Sequence, residues 1–460
     1  MSTKIIECIH NSQCIYFKTG TTKLTDFRLK SLKKLRVELR KREADIHQAL
    51  YRDFKKSEFE SVISETSVVN KELATHIKKL TTWSRPERVG SSMLNFPSSD
   101  YIYKEPYGSV LIIAPWNYPF QLAMVPLIGA VASGNTVVLK PSELTTNTSK
   151  IIKEICEAVF DKKHLSVLLG GVEMAKGLLE KKWDYIFFTG STTVGKIVAK
   201  AAAEHLTPAT LELGGKNPCI IDKSVNIKTT ARRLVWAKFL NGGQTCIAPD
   251  YLLVHTSIKK EFIDQFKNEI KRAYGEDPQT SEDFPRIINS KNFTRLKNLL
   301  SGETILAGGL IDETDLYVAP TLLDEPSLSS TVMQEEIFGP ILPILSFDTE
   351  EDIRLVIDRY PKPLAFYVFS KRKSFVTDLL HKHSFGGCTV NDAIIHYINE
   401  ELPFGGVGES GIGAYHGKRT FDTFTHHKAV TKKVFWPDIP VRYAPYKGKL
   451  KLMKFILKYL

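Results

Sequence analysis

Residues 108–115 read GSVLIIAP, a nearly unbroken apolar run. A run this short, with no alternation of polar positions, suits a strand covered on both faces, as in a parallel sheet. NYPFQLAMVPLIGAVASG follows and reads as a helix, with Pro126 marking a kink or a boundary. NTVVLK (135–140) is the next strand, and TNTSKIIKEICEAVF the next helix, with polar capping candidates in front. LSVLLGG, YIFFTGS and TPATLELGG continue as strands separated by helical segments. Upstream, residues 28–80 read as helical, with Leu32, Leu35 and Leu39 at helical spacing. Such alternation predicts an α/β fold with a doubly wound, Rossmann-like parallel sheet and right-handed crossovers. After Cys246 a second set begins. YLLVHTSI, TILAGG, LAFYVFS and GGCTVND are strand-like, while KKEFIDQFKNEIKRAYG and KSFVTDLLHKH are helix-like. The chain of 460 residues therefore reads as two α/β domains, with the binding crevice between them at the carboxyl ends of the strands.

Composition narrows the function classes. Six cysteines without a CxxC pair suggest reduced thiols in the cytoplasm rather than a disulfide frame or a zinc site. Cys8, His10 and Cys14 are close in sequence but match no metal-ligand spacing, and no metal is expected. The start, MSTKIIECIHNSQC, has no apolar signal region, and no run approaches the roughly 18–20 apolar residues that span a bilayer. The formal charge is +12. Between His426 and Leu460 stand nine Lys/Arg (Lys428, Lys432, Lys433, Arg442, Lys447, Lys449, Lys451, Lys454, Lys458) against Asp438, a net +8 of that total. The excess belongs to the tail; no nucleic-acid module is recognisable. In KGKLKLMKFILKYL (447–460), Met453, Ile456, Leu457 and Leu460 fall at helical spacing, and Lys451, Lys454 and Lys458 form a stripe. The segment either docks on the protein or its partner subunit, or lies as a basic amphipathic helix on an anionic membrane.

The chemistry-bearing residues gather near the strand ends. FLNGGQTCIAPD places Cys246 behind two glycines, an amide and a hydroxyl, a run that packs nothing and lets backbone approach a ligand. APWNYPF offers the Asn117 amide as a donor to an oxyanion, and LELGGK offers Glu212, a carboxylate in an apolar strand where burial moves its acidity toward general-base range. Glu336 in QEEIFGP is a second candidate base. FFTGSTTVGKIV nearly matches a Walker A loop, but Ile197 stands where a hydroxyl must hold magnesium. What remains is a helix N-terminus at a strand end, suited to a diphosphate. Lys140 and Glu143 in LKPSELT can hydrogen-bond ribose hydroxyls. A papain-like enzyme would pair the cysteine with a histidine, and His255, His396 and His416 stand in no motif for it.

PWNYPF, LKPSE, FTGST, LELGGK, GGQTCIAPDY, EEIFGP, TVND and LPFGGVGESGIGAYHGK resemble, in order and spacing, the NAD(P)-dependent aldehyde dehydrogenases from about Arg28 to Lys428. CIAPDY and YHGKRTFDTFTHHK resemble the class 3 branch, which is typically dimeric. The resemblance implies oxidation of an aldehyde to an acid with NAD or NADP, with Cys246 as nucleophile, Asn117 as oxyanion donor and Glu212 as base. It implies further that Lys140 and Glu143 hold the adenosine ribose, Gly190 and Ser191 lie by the pyrophosphate, and Val194 packs near the adenine. Glu336 and Phe338 would position the nicotinamide ribose and ring, with Trp116 beside the cofactor and Phe404 shaping the substrate funnel. The implied domains are a cofactor domain (1–95 and 109–213), a catalytic domain (214–421), a small β-type oligomerisation arm (96–108 and 422–446) and the tail (447–460). Cys388 and Gly243 depart from the commonest family pattern; Cys388 reads as an inert thiol and Gly243 as loosening its turn. An inactive homologue and a nucleotide-phosphate enzyme are the rival classes; the intact Cys246, Asn117 and Glu212 speak against the first, and Ile197 against the second.

Overall fold

The computed structural model describes residues 2–438 and 440–458. Two largely parallel sheets dominate. The first has six strands in the order Gly411–Ile412, Ala209–Glu212, Tyr185–Thr189, Ser109–Ile113, Thr136–Lys140, Leu165–Val167, and only the Gly411–Ile412 strand runs antiparallel to its neighbour. Every residue of Ser109–Ile113, Thr136–Lys140 and Tyr185–Thr189 is buried, which is why these strands read as apolar runs. Helix Gln121–Ser133 is buried along its whole length and continues through Pro126, so the proline ends nothing. Helix Thr25–Lys41 turns Leu32, Leu35 and Leu39 inward. The N-terminal helix Ser2–Lys18 packs on the same sheet. There Gln13 donates to the Val137 carbonyl (2.8 Å), and His10 meets the Trp183 ring edge-on (4.8 Å between ring centres).

The second sheet has seven strands in the order Ile305–Ala307, Thr321–Asp324, Ile341–Phe347, Tyr251–His255, Pro218–Ile221, Ala365–Phe369, Gly387–Val390, all parallel except the first pair. Four of these match the expected runs. The strands Pro218–Ile221, Thr321–Asp324 and Ile341–Phe347 were not anticipated; the first and last contain prolines, which argue against interior strands at the level of sequence.

A third, antiparallel sheet pairs Glu87–Val89 with Ser98–Pro106 and Ser98–Pro106 with Thr425–Lys433. The pairing crosses the expected boundaries at two places. Glu87–Val89 lies within 1–95 yet joins the arm, and Gly411–Ile412 lies within 214–421 yet joins the first sheet. Helix Lys418–Thr423 goes with the latter: a Cβ on Gly129 would meet the Thr420 methyl at 2.3 Å.

The tail forms helix Leu450–Lys458, with Leu450, Leu452, Phe455 and Leu457 exposed. Leu460 and the side chain of Ile456 lie outside the described residues. Among the described residues no helix is long and apolar enough to cross a membrane.

Candidate active site

Cys246 follows a turn in which Asn241, Gly242 and Gly243 all have positive φ (55°, 62° and 73°). At Gly243 this is required twice over, because a Cβ there would stand 2.3 Å from the Gly339 carbonyl oxygen. Gly243 therefore does not loosen the turn; it lets two backbones touch. Side-chain amides lock the turn. Asn241 donates to the carbonyls of Asn117 (2.7 Å) and Gln244 (3.2 Å). Gln244 donates to those of Asn241 (3.0 Å) and Arg286 (3.1 Å) and accepts from the Ile288 amide. Asn117, 4% exposed, donates to the Gln244 carbonyl (3.1 Å), which brings its amide to the loop that carries the thiol. The Asn117 segment is held from below by Glu65, whose carboxylate accepts from the Phe120 (3.1 Å) and Gln121 (2.7 Å) amides and is itself paired with buried Lys56 (2.8 Å).

Two carboxyls face the thiol electrostatically. Glu212 ends the strand Ala209–Glu212, is 2% exposed, and neither carboxyl oxygen has a hydrogen-bond partner. Burial raises its pKa well above the carboxylate range. Glu336 lies against the Gly214 backbone, where a Cβ would overlap its carboxyl at 2.0 Å. Burial, then Asp250, raise its pKa to about 8. Burial pushes the Cys246 thiol up to about 12, with the Glu336 and Glu212 carboxyls adding to the rise. The thiol opens on a narrow cavity walled by Tyr118, Leu122, Leu240, Ile247, Ile394 and Phe404. Phe404 stacks with His396 and with His416, each inclined 14° to it, which fixes the ring as a wall.

Most of the expected cofactor residues lie along the strand ends of the first sheet, while Glu336 and Phe338 precede the second-sheet strand Ile341–Phe347. Lys140 ends Thr136–Lys140 and hydrogen-bonds Glu143. Gly190 follows Tyr185–Thr189, and a Cβ on it would strike the Phe188 ring at 2.5 Å. Ser191 caps helix Thr192–Glu204, and Val194 in its first turn is exposed. Ile197 is exposed on the same helix. The Thr189 hydroxyl is buried without a partner where this strand ends. Phe338, held at φ 49°, presents its ring edge-on to Trp116 (5.3 Å). A dinucleotide suits these residues: a capped helix N-terminus for its diphosphate, an orphaned hydroxyl, and an ammonium–carboxyl pair for a ribose.

Four contributors went unassigned in the sequence. Asn217 donates to the carbonyls of Cys246 (2.8 Å) and Ala248 (3.0 Å) and accepts from the Ala365 amide (2.8 Å), tying the thiol segment to the second sheet. The Tyr367 hydroxyl donates to the Ile247 carbonyl (2.6 Å). Buried Lys216 and Asp250 pair at 2.5 Å, and Asp250 accepts from the Ile337 amide, so the pair carries the Glu336 segment. The available signal was a lysine and an amide directly after LELGG; nothing local singled out Tyr367.

Residues 16–430 match the Aldehyde dehydrogenase family. The 4,4'-diaponeurosporen-aldehyde dehydrogenase of Staphylococcus aureus is 46% identical over 96% of this chain and 97% of its own. A substrate-bound structure of Staphylococcus aureus AldH superposes with a TM-score of 0.97 at 45% identity, covering 98% of this chain and 99% of that one. The NAD+ complex of a Mycobacterium tuberculosis aldehyde dehydrogenase superposes with a TM-score of 0.83 at 25% identity, covering 93% and 90%.

Proposed function

Since the chain belongs to the aldehyde dehydrogenase family and oxidises aldehydes to carboxylic acids with NAD or NADP, we propose that Cys246, Asn117, Glu212 and Glu336 divide that reaction among them. Cys246 adds through sulfur to the aldehyde carbon. Asn117 keeps one amide hydrogen for the oxyanion that forms, a contact worth roughly 3–4 kcal/mol in such sites. A bound nicotinamide would supply the acceptor for the hydride that leaves that carbon. Glu336, Phe338 and Trp116 hold the face on which the hydride leaves, while Lys140, Glu143, Gly190, Ser191 and Val194 hold the far end of the cofactor. Glu212 then removes a proton from the water that cleaves the thioester. The observation that carries this assignment is the pair of unpartnered Glu212 oxygens in the buried site of Cys246. In its ionised form such a carboxylate has no competing donor, and burial raises its affinity for the proton of a water. An assay with NAD+ and, separately, NADP+ tests it: acid and reduced nicotinamide should appear in equal amounts. Reduced nicotinamide with the thioester retained on a residue other than Cys246 would refute the assignment.

The first sheet is the cofactor half and the second the half that presents the thiol. Among the described residues, the strand Thr425–Lys433 has a neighbour on one side only. An open edge of that length is a ready template for a second copy, which supports a homodimer. The tail helix carries Lys451, Lys454 and Lys458 beside its exposed apolar residues, and this supports a weak contact with an anionic membrane. Removing residues 447–460 should then reduce co-sedimentation with anionic vesicles several-fold and leave neutral vesicles unaffected. Equal pelleting of both forms would assign the tail to the partner subunit instead.

A further inference from the structure

A second cavity, of about 420 Å³, lies beside the thiol pocket, and the Leu240 side chain is a wall of both. Facing Leu240 is a single stretch of chain. Helix Glu58–Ser61 and the π-helical turn Val62–Thr66 lend Glu60 and Ile63 to the outer cavity and Ser64 to the inner one. Such π-turns occur disproportionately at functional sites. The outer cavity is walled by the rings of Phe59, Trp236 and Tyr274.

Glu60 is only half satisfied: the Lys56 charge and the Asn241 backbone amide favour its carboxylate, but one of its oxygens is left over. It is 5% exposed, and its Oε1 is buried with no hydrogen-bond partner. The nearby cation, Lys56, gives its hydrogen bond to Glu65. The helix start is capped by Ser57, and it is the Glu60 carbonyl, not the carboxyl, that accepts from the Ser64 hydroxyl. Burial raises its pKa to about 7. A polar group left in this condition in a native interior asks for an occupant.

We propose that the outer cavity receives the far end of the aldehyde, and that Glu60 is a specificity-determining residue accepting a hydrogen bond from a hydroxyl carried there. This rests on the reading of Cys246 as the thiol that meets the aldehyde carbon. Arg232 and Arg272 line the same cavity and are matched by Glu269 and Asp283, so beyond Glu60 itself the lining carries no excess charge and a neutral hydroxyl suits it. Of these, Arg272 has Glu269 at 4.0 Å, and Arg232 is exposed. The three rings would cover the methylene chain between the two ends.

The test compares hydroxyl-terminated with methyl-terminated straight-chain aldehydes of matched length, from short to long, by kcat/KM. In the unaltered protein the ratio should stay near one for short pairs and rise to about tenfold or more once the chain passes Leu240. Glu60→Leu should bring the long-chain ratio back toward one, and Glu60→Gln, whose amide oxygen still accepts, should keep most of it. Because the ratio is taken within each variant, a general loss of activity does not mimic the effect. A ratio near one at every length, or one untouched by Glu60→Leu, overturns the proposal while leaving the Cys246 reading intact. Failure to turn over any aldehyde overturns both.

Discussion

Cys246→Ala is expected to lower aldehyde oxidation by at least about 10⁴-fold, the scale on which covalent catalysis fails when its nucleophile is removed. Cofactor binding, followed by quenching of protein fluorescence, should persist, because the residues placed around the dinucleotide are carried by other segments. No second thiol stands ready. Cys388 packs in the second sheet opposite Phe366 and is absent from the walls of the thiol pocket. Activity within tenfold of the unaltered protein would remove Cys246 from its role. The same thiol should betray its burial through pH. With its pKa pushed up to about 12 in the ligand-free protein, the thiolate fraction grows about tenfold per pH unit throughout the neutral and mildly alkaline range. Alkylation by iodoacetamide should follow that slope from about pH 7 to about pH 10; a rate that levels off above about pH 9 would show an ordinary, accessible thiol.

The second large effect separates the two buried carboxyls. Glu212→Gln removes the group assigned to water, so one turnover of hydride transfer should survive. Rapid mixing should give a burst of reduced nicotinamide near one per active site, then a steady rate lower by about 10²–10⁴. Glu336→Gln should give no burst. Its carboxyl, on a segment fixed by the Lys216–Asp250 pair, is the group assigned to the nicotinamide ribose, and loss of that hold misplaces the reacting carbon atoms, to which rates are steeply sensitive. An aldehyde deuterated at C1 should therefore show a larger isotope effect in this variant. A burst from Glu336→Gln and none from Glu212→Gln would mean the roles are reversed.

The sequence made legible what depends on local pattern. Buried strands such as Ser109–Ile113 and Tyr185–Thr189 are apolar because both faces are covered, and Cys246, Asn117 and Glu212 stand in runs with no packing explanation. Less legible was whatever depends on a distant partner. Pro343 sits in the strand Ile341–Phe347, which local rules discourage, yet pairing with Thr321–Asp324 and Tyr251–His255 holds it there. Asn217 looks like any polar loop residue until its three backbone partners, 29 to 148 residues away, are seen together. Glu65 and Lys56 likewise read as surface charges, although both are fully buried beneath the Asn117 segment.

The pairing of Gly411–Ile412 with Ala209–Glu212 has a consequence for how the chain is made. On the ribosome, the strand that ends in Glu212 emerges about two hundred residues before the strand that closes its outer side. For that interval the nascent sheet has an unpaired, apolar border, the kind of edge that recruits other chains. Neither half of the molecule is therefore a finished object while synthesis continues: the earlier half waits for a clasp encoded near the end of the message. A ribosome that stalls past Glu336 but before residue 411 releases a product that carries all four residues proposed for the chemistry and no closed sheet to hold them.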